Sequence, residues 1–271
     1  MATSPPCDSE TYGRLVRARR IWAVAAIHGE AERLRRVHSR LAERLAPGDR
    51  LVYLGDYLGH GPAIAATLDA LLQFRLAFLA QRNAFLGDIV FLRGSQEEMW
   101  HKLMELQFAP NPREVLGWML ERGVGATLES YGVDPRQGLS VCREGVLGIT
   151  RWTTGLRAAI DAHPGHRQLL TLLRRAAFTE EGGLLFVNAG IDAEKPLDLQ
   201  GDAFWWGRTD ILALTAPYAG FRRVVRGHDR RHAGFIESEF AVSLDGGSGF
   251  GGGLLAACFA QDGRVLDRLE G

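Results

Sequence analysis

Between Leu51 and Pro62 the chain reads Leu-Val-Tyr-Leu-Gly-Asp-Tyr-Leu-Gly-His-Gly-Pro, an apolar run closed by a carboxylate and a glycine-rich turn. A short unbroken apolar run bounded by turn residues fits a strand buried on both faces. Gly55, Gly59, Gly61 and Pro62 supply the stop. Asp56 then stands at the carboxyl end of the strand, where open α/β sheets bind their ligands. Taken alone, a Gly-Asp pair fits a plain turn better, so the neighbouring segments must decide.

The same arrangement recurs along the chain. Ile21 to Ala26 is an apolar run of strand length followed by Ile27-His28-Gly29-Glu30, and residues 31–45 place Leu34, Val37, Leu41 and Leu45 on one face of a helix. A second helix is expected over 63–79, and Ile89 to Leu92 is a third strand running into Arg93-Gly94-Ser95-Gln96-Glu97. The β-α-β order implies parallel strands with polar loops at one rim. From about 98 to 168 helical segments broken by Pro110, Pro112, Gly123, Gly125 and Pro164 suggest a helical cap over that rim. Strands are expected again at 184–187, 221–226 and 241–244, ending in Asn188-Ala-Gly190, Gly227-His228-Asp229 and Asp245-Gly-Gly-Ser-Gly249. Residues 254–259 and 264–269 read as an antiparallel pair around Asp262-Gly263. Residues 1–19 read as a loose polar tail and 20–271 as one domain.

Composition narrows the classes of function. Across 271 residues, 32 basic side chains cancel 32 acidic ones, so no global charge selects nucleic acid or a membrane surface. Cys7, Cys142 and Cys258 are too scattered for a disulfide framework or a zinc knuckle, which fits a reducing, cytoplasmic setting. No apolar stretch reaches the length of a membrane span.

Taken together, His28-Gly29, Gly55-Asp56, Gly94-Ser95-Gln96-Glu97, Asn188-Ala-Gly190 and Gly227-His228 each follow an apolar run. In that order, over residues 21 to 260, they resemble the loops of the calcineurin-like metallophosphoesterases. Within these, the resemblance is to the bacterial branch of the phosphoprotein phosphatases that includes diadenosine tetraphosphatase-like enzymes. Trp206-Gly-Arg208 and residues 125–135 resemble the substrate side and cap of the same branch. The resemblance implies an α/β fold, a metallophosphoesterase-like β-sandwich flanked by helices with a helical cap insertion. It also implies a site for two metal ions about 3.5–4 Å apart that clamp a phosphoryl transfer.

Measured against those loops, the departures are many. Ala26 stands where the family has a ligand Asp, and Gly59 and His60 replace an Asp and an Arg. Ser95 replaces a ligand Asn, Gln96 the His that protonates the leaving oxygen, Asn188 a ligand His, and Asp229 a Thr. Glutamine has no titratable proton near neutral pH, so Gln96 cannot serve as that general acid. His60 and Gln96 are therefore vestigial catalytic positions. The resemblance leaves His28, Asp56, His228 and, weakly, Asn188 as metal ligands. That set implies no fully occupied two-metal centre and at most one divalent ion, such as Mn, Fe, Zn or Mg.

Arg208 matches the phosphate contact of the family, where a planar guanidinium suits bidentate binding; a surface salt bridge is the other reading. Arg222, Arg223, Arg226, Arg230 and Arg231 surround His228 and could draw an anion. Phe204, Trp205 and Trp206 read as core or cap packing, and Gly246 to Gly253 as a backbone device before an edge strand. The expected function is that of a catalytically impaired phosphatase homologue. It would bind a phosphorylated or nucleotide-like ligand, or a protein partner, with no nucleic acid and no membrane. The alternative is an active metal-dependent phosphatase or dinucleoside polyphosphate hydrolase with an atypical one-metal site.

Overall fold

The computed structural model describes residues 11–81 and 83–271. The first half runs β1 (Tyr12–Leu15), β2 (Ile21–Val24), α1 (Ala31–Ala42), β3 (Arg50–Tyr53), α2 (Ile64–Leu79) and β4 (Ile89–Phe91). Helices follow: α3 (Ser95–Leu103), α4 (Pro112–Met119), α5 (Gly125–Ser130), α6 (Pro135–Val141), α7 (Gly145–Asp161) and α8 (His166–Thr171). The chain then forms β5 (Ala176–Thr179), β6 (Leu184–Val187), α9 (Ala203–Trp206), β7 (Arg223–Arg226), β8 (Ile236–Glu237), β9 (Ala241–Ser243), β10 (Leu255–Phe259) and β11 (Val265–Glu270).

Two sheets result, ordered β11-β10-β2-β3-β4 and β1-β5-β6-β7-β9-β8. β2, β3 and β4 pair in parallel, with Ile21 opposite Arg50 and Leu51 opposite Ile89, as the β-α-β order requires. β6, β7 and β9 are parallel in the second sheet. β10 and β11 form the expected antiparallel pair. The inner faces share one core, in which Phe186 of one sheet meets Phe259 of the other at 6.0 Å between rings. A smaller cluster on the outer face of the second sheet holds Tyr12, Phe178, Phe204 and Trp205.

The expected tail is corrected from Tyr12 onward: Tyr12–Leu15 is a strand, paired in parallel with β5. Alternation of apolar and polar residues in Tyr-Gly-Arg-Leu is too short to signal a strand, and it is the neighbouring β5 that supplies the hydrogen bonds. Cys7 and the rest of residues 1–10 lie outside the described residues. β5, with only Ala-Ala-Phe-Thr, and the two-residue β8 also carry no sequence signal of their own. Among the described residues no helix is long and apolar enough to cross a membrane.

The carboxyl ends of both parallel triads point to one rim, and hydrogen bonds join the two sheets there. The Ala26 N–H donates to Gly227 O at 3.0 Å, and Asn188 Nδ2 donates to Leu54 O at 2.8 Å. α4 and α5 are joined through a π-turn at Leu120–Val124, in which Gly123 takes φ +100°. That turn lies over the rim, where the His60 N–H donates to Gly123 O at 3.4 Å.

Candidate metal and anion site

Asp56 is fully buried at the centre of the rim. Its Oδ1 accepts from Ser95 Oγ at 3.0 Å and from the Gln96 backbone N–H at 2.9 Å, while Oδ2 accepts from Asn188 Nδ2 at 3.0 Å. Burial opposes the charge, yet the nearby His28 and His228 and these donors outweigh it and hold the carboxyl below its ordinary value. The loops are fitted tightly around it. A Cβ on Gly94 would stand 2.4 Å from the Asp56 backbone nitrogen, so no larger residue fits there without displacing the carboxylate.

Glu97, at the start of α3, holds the loop after β3 in shape. Its Oε2 accepts from the N–H groups of Asp56 and Gly94 at 2.9 and 2.8 Å, and its Oε1 from Tyr57 and Leu58 at 2.8 and 3.1 Å. Burial, together with the charge of Asp56, pushes its carboxyl up to about 7 against those four donors. The loops around the rim also carry strained backbone. Asp56, His28, His60 and His232 all adopt positive φ, between 48° and 60°, a conformation that non-glycine residues hold only when their surroundings enforce it.

Histidines form one wall. The His28 ring lies 5.2 Å from His60 and 5.6 Å from His228, and the glycine-rich turn before β10 brings Phe250 to 5.2 Å from His28 and 4.1 Å from His232. His28 is buried with neither ring nitrogen hydrogen-bonded, and burial lowers its pKa to about 4 despite the charge of Asp56. Burial likewise lowers His60. His228 goes the other way: burial opposes its proton, but Asp245, Asp56 and Asp229 together raise its pKa. Its Nδ1 lies 3.4 Å from Asp245 Oδ2, an ion-pair distance without hydrogen-bond geometry. Asp245 is held to about 2: burial resists its charge, while His228 and the backbone N–H groups of Asp229 and Gly247 favour it.

These groups open into a cleft of about 630 Å³ whose other wall includes Trp206, Arg208, Arg230, Arg231 and Arg122. Arg208, Arg230 and Arg231 are exposed, and none of the three has a salt bridge among the described residues. The salt-bridge reading of Arg208 finds no partner among the described residues. Arg226 differs: it is buried and committed to Ser243 Oγ at 3.0 Å and Asp229 at 2.9 Å. Trp205 is core, as expected, whereas Trp206 faces the cleft.

The residues present do not fit a two-ion centre. Ala26 offers no ligand atom, both oxygens of Asp56 already accept protein donors, and Asn188 turns its amide nitrogen toward that carboxylate. One ion is better matched, because ligand atoms of His28, Asp56 and His228 lie within 4.8 Å of one another. Gln96 and His60 lie side by side: Gln96 Nε2 donates to Arg122 O at 2.7 Å and lies 3.3 Å from His60 Nε2. Gln96 also fills the space a side chain at position 59 would need, with its Oε1 2.2 Å from a Cβ built on Gly59. His232, Asp245 and Phe250 went unassigned in the sequence. The i, i+4 spacing of His228 and His232 was the one signal that could have singled out a second histidine.

Solved structures share this architecture. A candidate diadenosine tetraphosphatase superposes with a TM-score of 0.56 at 18% identity, over 96% of this chain and 98% of its own. A cold-active protein tyrosine phosphatase superposes with a TM-score of 0.52 at 12% identity, over 95% of this chain and 80% of its own. A metallophosphoesterase from Sphaerobacter thermophilus gives 0.47 at 14% identity, over 93% and 88%. No family model and no curated protein sequence matches the chain. The chain shares its fold with the diadenosine tetraphosphatase candidate and the protein tyrosine phosphatase, and at these identities the likeness speaks for the fold alone.

Proposed function

We propose that this chain is a catalytically impaired metallophosphoesterase homologue that binds a phosphorylated or nucleotide-like ligand in the arginine-rimmed cleft. The observation that carries the reading is the state of Asp56. Three protein donors surround the carboxylate that would otherwise bridge two ions, so hydrogen bonds supply the compensation that metal charge supplies in a two-metal centre. Gln96 at the general-acid position lacks a titratable proton. The exposed guanidiniums of Arg208, Arg230 and Arg231 support anion binding, since a planar guanidinium matches two oxygens of a phosphate. A protein partner bearing a phosphorylated side chain fits the same chemistry, and the scattered cysteines fit a cytoplasmic setting.

The test pairs binding with turnover. Calorimetric titration with inorganic phosphate and with a nucleoside monophosphate should show binding that Arg208→Ala weakens about tenfold or more. Hydrolysis of p-nitrophenyl phosphate should stay at background with and without Mn2+. Robust metal-dependent hydrolysis lost in Asp56→Asn would instead establish the second reading, an active phosphatase or dinucleoside polyphosphate hydrolase using one ion. That reading draws its support from the convergence of His28, Asp56 and His228.

A further inference from the structure

We infer that the chain has a mononuclear transition-metal site displaced from the Asp56 position toward the turn after β9, with His228, His232 and Asp245 as its ligands. Their ligand atoms converge within 4.8 Å. His232 Nδ1 lies 2.9 Å and His228 Nδ1 3.4 Å from the same oxygen, Asp245 Oδ2. A tetrahedral ion with bonds of about 2.0–2.1 Å sets its ligand atoms about 3.4 Å apart, so one of these edges already matches and the other must open by about 0.5 Å. Two imidazoles and a carboxylate form a donor set suited to zinc or cobalt with a fourth position open.

Access separates this triad from the deeper one. His28 and Asp56 are buried at 1% and 0% exposure, whereas the His228 and His232 side chains keep 16% and 24%; His28 reaches the cleft wall as they do, but Asp56 does not. An ion at His228, His232 and Asp245 therefore presents its open position to the space rimmed by Arg208, Arg230 and Arg231. The surrounding structure fixes the ligands. The Asp229 and Gly247 N–H groups donate to Asp245 at 2.7 and 2.8 Å, and the Phe250 ring stacks on His232. A ligand carboxylate held by backbone donors, and an imidazole held against a ring, keep the orientation that metal binding demands. His232 and Asp245 thus supply, from the loops after β7 and β9, ligands that Ala26 cannot.

The experiment is a titration of chelator-treated protein with Co2+ alone, followed by the visible ligand-field absorption of the ion, with circular dichroism to verify folding. One equivalent should bind with a tetrahedral-type spectrum. His232→Ala should weaken binding by about 100-fold or more and remove that spectrum, and His28→Ala should change the affinity by less than about threefold. Asp245→Asn, if folded, should behave as His232→Ala does. The assignment is overturned if no stoichiometric ion binds. It is equally overturned if His232→Ala leaves affinity and spectrum unchanged while His28→Ala or Asp56→Asn abolishes binding. Phosphate binding without added metal tests the anion reading separately, so either can fail alone.

Discussion

Asn188 donates its side-chain N–H to Asp56 Oδ2 at 3.0 Å, and the same nitrogen donates to Leu54 O at 2.8 Å. A residue at the end of one sheet thereby satisfies the central carboxylate and the carbonyl just beyond β3 in the other. Where the resembled phosphatases place a metal-binding histidine, this chain has a hydrogen-bond clasp.

Asn188→Ala should therefore be costly. It removes two buried hydrogen bonds, one to a charged group, and should destabilise the fold by about 2–4 kcal/mol. Urea unfolding followed by tryptophan fluorescence measures this, and a loss under about 0.5 kcal/mol would mean the clasp carries no weight.

Gly59 and Gln96 should behave as a coupled pair. A Cβ at position 59 meets Gln96 Oε1 at 2.2 Å, and the backbone there has φ +77°. Gly59→Ala should cost about 1–3 kcal/mol from clash and strain combined. In a Gln96→Ala background the clash disappears and the strain stays, giving a coupling energy of about 1 kcal/mol in a double-mutant cycle. Strict additivity would show that the two positions are independent.

Glu97→Gln is nearly isosteric and should still be damaging. Each oxygen of Glu97 accepts two backbone N–H groups, and the amide nitrogen of glutamine would face two donors instead. A loss of about 3 kcal/mol or more is expected from thermal or urea melts, with the loop around Asp56 the first segment to lose amide-exchange protection.

His38 should make the protein acid-sensitive. It is buried, 2.8 Å from Tyr53 Oη and stacked on Phe74 at 4.0 Å, and burial lowers its pKa from 6.5 to about 3. The unfolded chain takes up this proton as pH falls below about 6.5 while the native chain does not, so stability is lost toward acid. The contribution approaches about 1.4 kcal/mol per pH unit. Between pH 6 and 5, His38→Gln should reduce the slope of unfolding free energy against pH by about that amount; an unchanged slope would refute it.

The strands were legible wherever a run of four or more apolar residues was buried on both sides, as in Leu184–Val187. They were not legible where pairing depended on a neighbour distant in sequence. Tyr12–Leu15 gains its ladder from β5, more than 160 positions away, and nothing local in four residues announces that partner.

The site divides along the same line. The residue identities alone settle that Ala26 cannot ligate and that Gln96 cannot protonate a leaving group, because those are properties of the side chains themselves. They also place His28, Asp56, Asn188 and His228 in loops that follow strands. What these side chains do to one another is decided by the convergence of two sheets on one rim. That convergence turns Asn188 into a donor for Asp56, while the packing of neighbouring loops within each sheet lets Gln96 fill the space beside Gly59 and sets His232 and Asp245 beside His228. Hydrogen bonds and coordination act over about 3 Å, and a distance of that kind between residues as far apart in the chain as Asn188 and Asp56 exists only after the chain has folded.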